Sequence, residues 1–97
     1  MPCEIKETKN RIIFSGELTL MEIEPVTQFL KEKMDLFYEW ESISILLENL
    51  EKIDSAGIQL LLSLKKTYGD KLRFSNVPLY LKTLFSRHGF KFAKINS

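Results

Sequence analysis

Ile43 to Leu47 reads ISILL, a short apolar run of the kind a β-strand shows when both of its faces are covered. Such a strand sits inside a sheet and needs other layers to hide it. The segments around it supply them. Downstream, Asp54-Ser55-Ala56-Gly57 leads into the apolar stretch Ile58 to Leu64, which predicts a helix starting at Asp54 or Ser55. It ends near Tyr68, with Gly69 as its stop. Upstream, Ile23, Val26, Phe29, Leu30, Met34 and Phe37 fall on helical spacing. Pro25 belongs in the first turn of that helix, which puts its start near Glu22.

The ends of the chain complete the pattern. Cys3 to Thr8 and Arg11 to Ser15 are β-prone runs joined by a hairpin turn at Lys9-Asn10, with Gly16 marking the end of the second. Leu72 to Phe74 is a brief strand. Asn76-Val77-Pro78 then opens a helix with Pro78 at its first position, Leu81, Leu84 and Phe85 as its stripe and Gly89 as its close. Phe90, Phe92 and Ile95 alternate as a last strand. The order β-β-α-β-α-β-α-β predicts an α/β fold: a mixed, mainly parallel sheet with an N-terminal hairpin and helices packed on it. With 97 residues and no internal repeat, residues 1–97 are expected to form a single domain.

Composition excludes several classes. Hydrophobic residues at 44% and charged residues at 28% suit a folded chain and not a disordered one. The lone Cys3 excludes an internal disulfide, which fits a reducing compartment. One His and one Cys do not make a structural zinc site. No apolar run reaches the roughly 18–20 residues of a membrane span, and the N-terminus lacks the apolar stretch of a signal peptide. The expectation is a cytoplasmic protein without membrane insertion. Residues 1–48 carry five Lys/Arg against ten Asp/Glu, and residues 49–97 nine against three. Eight of these nine, Lys65, Lys66, Lys71, Arg73, Lys82, Arg87, Lys91 and Lys94, are spread over several elements, so no nucleic-acid partner is expected.

The chain carries no phosphate loop, no dinucleotide fingerprint and no G-x-S-x-G elbow. His88 falls at the end of the third helix, where the helix dipole accounts for it. Glu22/Glu24 and Glu39/Glu41 read as solvated charges near element ends, and Cys3 as a small hydrophobe. Neither an enzymatic role nor a cofactor is expected.

The informative segment is Ile53-Asp54-Ser55-Ala56-Gly57-Ile58. It places a Ser where a helix begins, and there bare N–H groups and the positive end of the helix dipole favour added negative charge. A phosphoryl group on Ser55 would bring about −1.5 to −2 charges without unfolding the helix. Equally, Asp54 or Ser55 can be a plain N-cap. At 100° per residue Gly57, Leu60, Leu61, Leu64 and Tyr68 share a direction, the expected core face. Ile58 and Leu62 lie off it, either buried against a neighbouring helix or exposed beside Ser55 as a docking patch.

IDSAGIQLLLSLKK resembles the D-S-[S/T/A]-G-[L/I] signature of STAS domains, the family that includes bacterial anti-sigma-factor antagonists. FSGEL, Phe14 to Leu18, resembles the family's second strand. Asn76-Val77-Pro78 through Leu84-Phe85 and His88-Gly89-Phe90 resembles its third-helix segment. The resemblance covers nearly the whole chain. It implies a non-enzymatic, partner-switching protein in signal transduction and transcription regulation. Ser55 would be phosphorylated by an anti-sigma factor that is itself a Ser/Thr kinase, and a phosphatase would reset it. The implied partner surface is Thr19, Asp54, Ser55, Ala56 and Gly57, with Ile58 and Leu62 if exposed. Thr19 stands where the antagonists commonly have Asp, and Leu46-Leu47-Glu48 where they have a more polar strand end. The same motif resembles STAS proteins of chemotaxis-type signalling systems. The alternative is therefore a constitutive subunit of a larger signalling or lipid-transport complex.

Overall fold

The structure, a computed structural model, describes residues 3–90. Strands β1 (Glu4–Thr8), β2 (Arg11–Leu18), β3 (Ile43–Ile53) and β4 (Leu72–Ser75) form one sheet in the order β1-β2-β3-β4. β1 and β2 are an antiparallel hairpin, closed by Thr8 opposite Arg11 with Lys9 at φ 49°. β2, β3 and β4 run parallel. The strand expected over Phe90, Phe92 and Ile95 falls on residues 91–97 apart from Phe90, outside those described.

The helices follow the apolar stripes, with one division. A 3-10 turn at Leu20–Glu22 leads into α1 (Ile23–Glu32), and Pro25 sits in its first turn as expected. At Lys33 the backbone leaves helical geometry (φ −100°, ψ 4°), and α2 (Met34–Glu39) starts anew. After this break Phe37 is buried between Trp40 and Tyr68, while Met34 stays 38% exposed. α3 spans Ser55–Tyr68 and stops at Gly69, whose φ of 65° few side chains adopt. α4 spans Leu79–Arg87 with Pro78 as its N-cap, one position earlier than the sequence suggested. His88 follows α4, its Nδ1 2.9 Å from the carbonyl of Leu84.

Two strands run longer than their apolar pattern indicated. β2 continues through Gly16 to Leu18, and β3 continues six residues beyond Leu47. The pairing explains both. Ile13 faces Leu46 and Ser15 faces Asn49; Gly16 faces Leu50 and Glu17 faces Lys52. At each step β3 carries one extra residue, so it bulges twice. Bulging turns its two-residue alternation into the three-residue spacing Leu47, Leu50, Ile53, all buried. Gly16, at φ 87°, bends the partner strand through the same region instead of ending it.

One face of the sheet supplies the core, which corrects the expectation that ISILL is covered on both faces: Ser44 and Leu46, on the opposite face, are half-buried. Ile12, Phe14 and Leu18 of β2, Ile43, Ile45 and Leu47 of β3, and Leu72 and Phe74 of β4 are buried together. Val26, Leu30, Ile58, Leu61, Leu81 and Phe85 pack on them from the helices. Because β2, β3 and β4 are parallel, the turns that follow them lie at one end of the sheet. That end is where open α/β sheets place their ligands and partners.

Candidate functional site

The site forms where β2 and β3 stop side by side, with Leu18 paired to Ile53. The next residue of β3, Asp54, is extended (φ −115°, ψ −174°) and caps α3: its Oδ1 accepts from the Gly57 N–H at 3.0 Å. Of the two residues that the sequence left as candidate caps, Asp54 does the capping. Ser55 is thereby free of that duty, an exposed first residue of a 14-residue helix. Partial burial pushes the Asp54 carboxyl up. The N–H groups of Gly57, Leu20 and Ala56 outweigh it and hold the carboxyl below its ordinary 3.8.

Gly57 explains why the motif carries a glycine. A β-carbon there would run into the carbonyl oxygen of Leu18 and come within 2.6 Å of Ile53 Cγ1. The start of α3 therefore rests directly on the ends of β2 and β3. That contact brings the β2–α1 turn to the site: Asp54 N–H donates to Leu18 O at 3.4 Å and Leu20 N–H to Asp54 Oδ2 at 2.9 Å. Thr19, between these two partners, is half-buried beside Asp54.

Of the expected partner surface, Thr19, Asp54, Ser55 and Ala56 are at least partly accessible. Gly57 is buried and serves packing. Ile58 is a correction to the docking-patch alternative: it is wholly buried, and its side chain is part of the core. Leu62 is half-buried against the same core. The buried face of α3 is centred on Gly57, Ile58 and Leu61, turned toward Ile58 from the expected face, and Leu60 and Leu64 are only half-buried. The exposed apolar side chains beside Ser55 are instead Leu20, 70% exposed, and Met21, 83% exposed. Their signal in the sequence was an apolar pair lying ahead of the α1 stripe with no place on it. Leu79, 80% exposed, opens α4 at the same end of the sheet.

Two clefts lie on the described surface. One cleft of about 450 Å³ lies against Glu4, Ser15, Glu48 and Glu51, and another of about 380 Å³ against Cys3, Ile5, Pro25 and Phe29. Neither includes Ser55. Among the described residues no group of three His, Cys, Asp or Glu side chains is placed to hold a metal. No helix among them is long and apolar enough to cross a membrane.

No family model and no curated protein matches the sequence. Solved structures do match the fold. The anti-sigma factor antagonist SpoIIAA in its unphosphorylated form superposes with a TM-score of 0.65, at 15% identity, over 94% of this chain and 87% of that one. The Bacillus cell fate determinant SpoIIAA in its phosphorylated form gives 0.65 and 15% over 96% and 93%. The chain has a STAS-like fold. The murine anion transporter solute carrier 26 family member A9 contains the same fold: 87% of this chain superposes on 14% of the transporter, with a TM-score of 0.64 and 17% identity. The STAS-like fold agrees with the resemblance carried by the DSAG motif, and the mixed sheet with the expectation drawn from the order of elements.

Proposed function

We propose that this chain is a non-enzymatic, cytoplasmic protein-binding switch of the anti-sigma-antagonist kind, controlled by phosphorylation of Ser55. The observation that carries the reading is the division of labour at the α3 N-terminus: Asp54 makes the cap, and Ser55 stands exposed beside it. A phosphoryl group there meets the positive end of the helix dipole and leaves the core untouched. Unmodified, the surface of Thr19, Asp54, Ser55 and Ala56 with Leu20 and Met21 docks an anti-sigma factor that is a Ser/Thr kinase. Phosphorylated, it repels that partner until a phosphatase restores it. The likeness to SpoIIAA in both phosphorylation states supports this reading.

Incubation with such a kinase and ATP should add one phosphoryl group, and Ser55→Ala should abolish it. Undiminished labelling of Ser55→Ala would refute the assignment. The likeness to an anion transporter favours a second reading, a constitutive module of a larger signalling or transport complex. Asp54 and Ser55 would then be cap and contact only, and no kinase would label the chain.

A further inference from the structure

Asp54 makes one more contact than a cap needs. Oδ1 takes the Gly57 N–H, which is the capping bond, but Oδ2 takes the N–H of Leu20, 34 residues earlier in the chain. The turn that carries Leu20 is otherwise closed mainly on itself, by Glu22 N–H to Thr19 O at 2.8 Å and Ile23 N–H to Leu20 O. Its two apolar side chains point away from the core, at 70% and 83% exposure. Burial of Leu20 and Met21 therefore does not hold the turn in place. A charge-assisted bond to a carboxylate ties it to the start of α3.

We propose that Asp54 is the positioning residue of the partner surface: its carboxylate clamps the Leu20–Met21 turn to the start of α3, presenting both side chains and Ser55 as one surface. The inference rests on the reading of Ser55 as the partner-facing site. An apolar pair on a loose turn would have to be ordered when the partner binds, at a cost in affinity; a clamped pair is ordered beforehand. The clamp also explains why Asp suits this position better than other good caps. Ser and Thr cap a helix through one oxygen, and Asn offers one acceptor and one donor group. Only a carboxylate of this length gives two acceptors to two N–H groups from different elements.

Asp54→Asn separates the clamp from the cap. Asn caps about as well as Asp, so Gly57 keeps its partner, while the amide NH2 meets the Leu20 N–H with a donor. In the isolated chain, hydrogen exchange at the Leu20 amide should rise about tenfold or more. Exchange at Gly57 and Ile58 should stay within about twofold. Unchanged exchange at Leu20, or equal acceleration at Leu20 and Gly57, overturns the clamp. Should Asp54→Asn fold poorly, Leu20→Pro removes the N–H and leaves Asp54 intact; Glu22, whose N–H donates to Thr19 O, should then exchange about tenfold faster with Gly57 unchanged. With an anti-sigma kinase that labels Ser55, Asp54→Asn should bind about tenfold more weakly and still be labelled; undiminished affinity refutes the positioning role. If no kinase labels Ser55 while Leu20 responds as described, the Ser55 reading fails and the clamp stands.

Discussion

Replacing Gly57 by Ala tests the contact on which the whole site is built. Ala is the better helix former by about 1 kcal/mol, so in open space the change would stabilise α3. Here the added methyl points at the Leu18 carbonyl oxygen, closer than real β-carbons approach, and lies 2.6 Å from Ile53 Cγ1 and 3.1 Å from Leu18 Cγ. The nearest obstacle is backbone, so α3 itself has to lift. Overpacking of a well-filled site costs about 1–3 kcal/mol, and a backbone obstacle belongs at the upper end. Less the propensity gain, the expected loss is about 2 kcal/mol. In a domain of this size that lowers Tm by roughly 8–16 °C. Urea and thermal unfolding of Gly57→Ala beside Gln59→Ala, an exposed position on the same helix, measure it. The control should be neutral or slightly stabilised. A Gly57→Ala variant at least as stable as the parent would mean that α3 does not rest on the end of β2, and the account of the site would fail with it.

Two further outcomes follow from burial. Ile58→Ala should cost about 2–5 kcal/mol, because a wholly buried side chain is lost and a cavity left; Leu62→Ala, half-buried, should cost about 1–2 kcal/mol. Denaturation in which Leu62→Ala is the more damaging of the two would reverse the assigned face of α3. Burial, then the charges of Glu22 and Glu4, push the Cys3 thiol up from 9.0 to about 11 against a hydrogen bond from the backbone of Ser15. The folded state thus favours the neutral thiol: this contribution to stability is present below pH 9 and fades as pH rises from 9 toward 11. At pH 8 the folded chain should alkylate about tenfold more slowly than a free thiol of pKa 9, the smaller thiolate fraction being partly offset by the greater nucleophilicity of a more basic thiolate. Alkylation at the free-thiol rate would show the thiol to be unburied.

Apart from the break at Lys33, the order of the described elements was legible in the sequence, because each stripe and each stop (Gly69 above all) is a local signal. The placement of DSAG between a strand and a helix was legible too. The details of the strands and faces were not. Leu47, Leu50 and Ile53 are three apart because β3 bulges against β2, and no local rule reads a bulge from one strand alone. Asp54 and Ser55 are both good caps, so their roles separate only once Leu20 and Gly57 are seen to converge on one carboxylate. Ile58 is core because α3 turns that side toward the sheet. The basic second half also changes meaning in three dimensions. Lys65 Nζ donates to the carbonyls of Gly69 and Leu72, and Lys71 Nζ to those of Phe37, Tyr38 and Trp40. These two cations satisfy backbone at element ends and are committed within the fold.

The most direct test of the central claim is the intact mass of the chain isolated from its own host, with and without phosphatase treatment, followed by mapping of the modified residue. The account predicts a fraction of molecules heavier by one phosphoryl group, located on Ser55 and removed by the phosphatase. Unmodified protein under every growth condition, or a phosphoryl group on a residue other than Ser55, would contradict it.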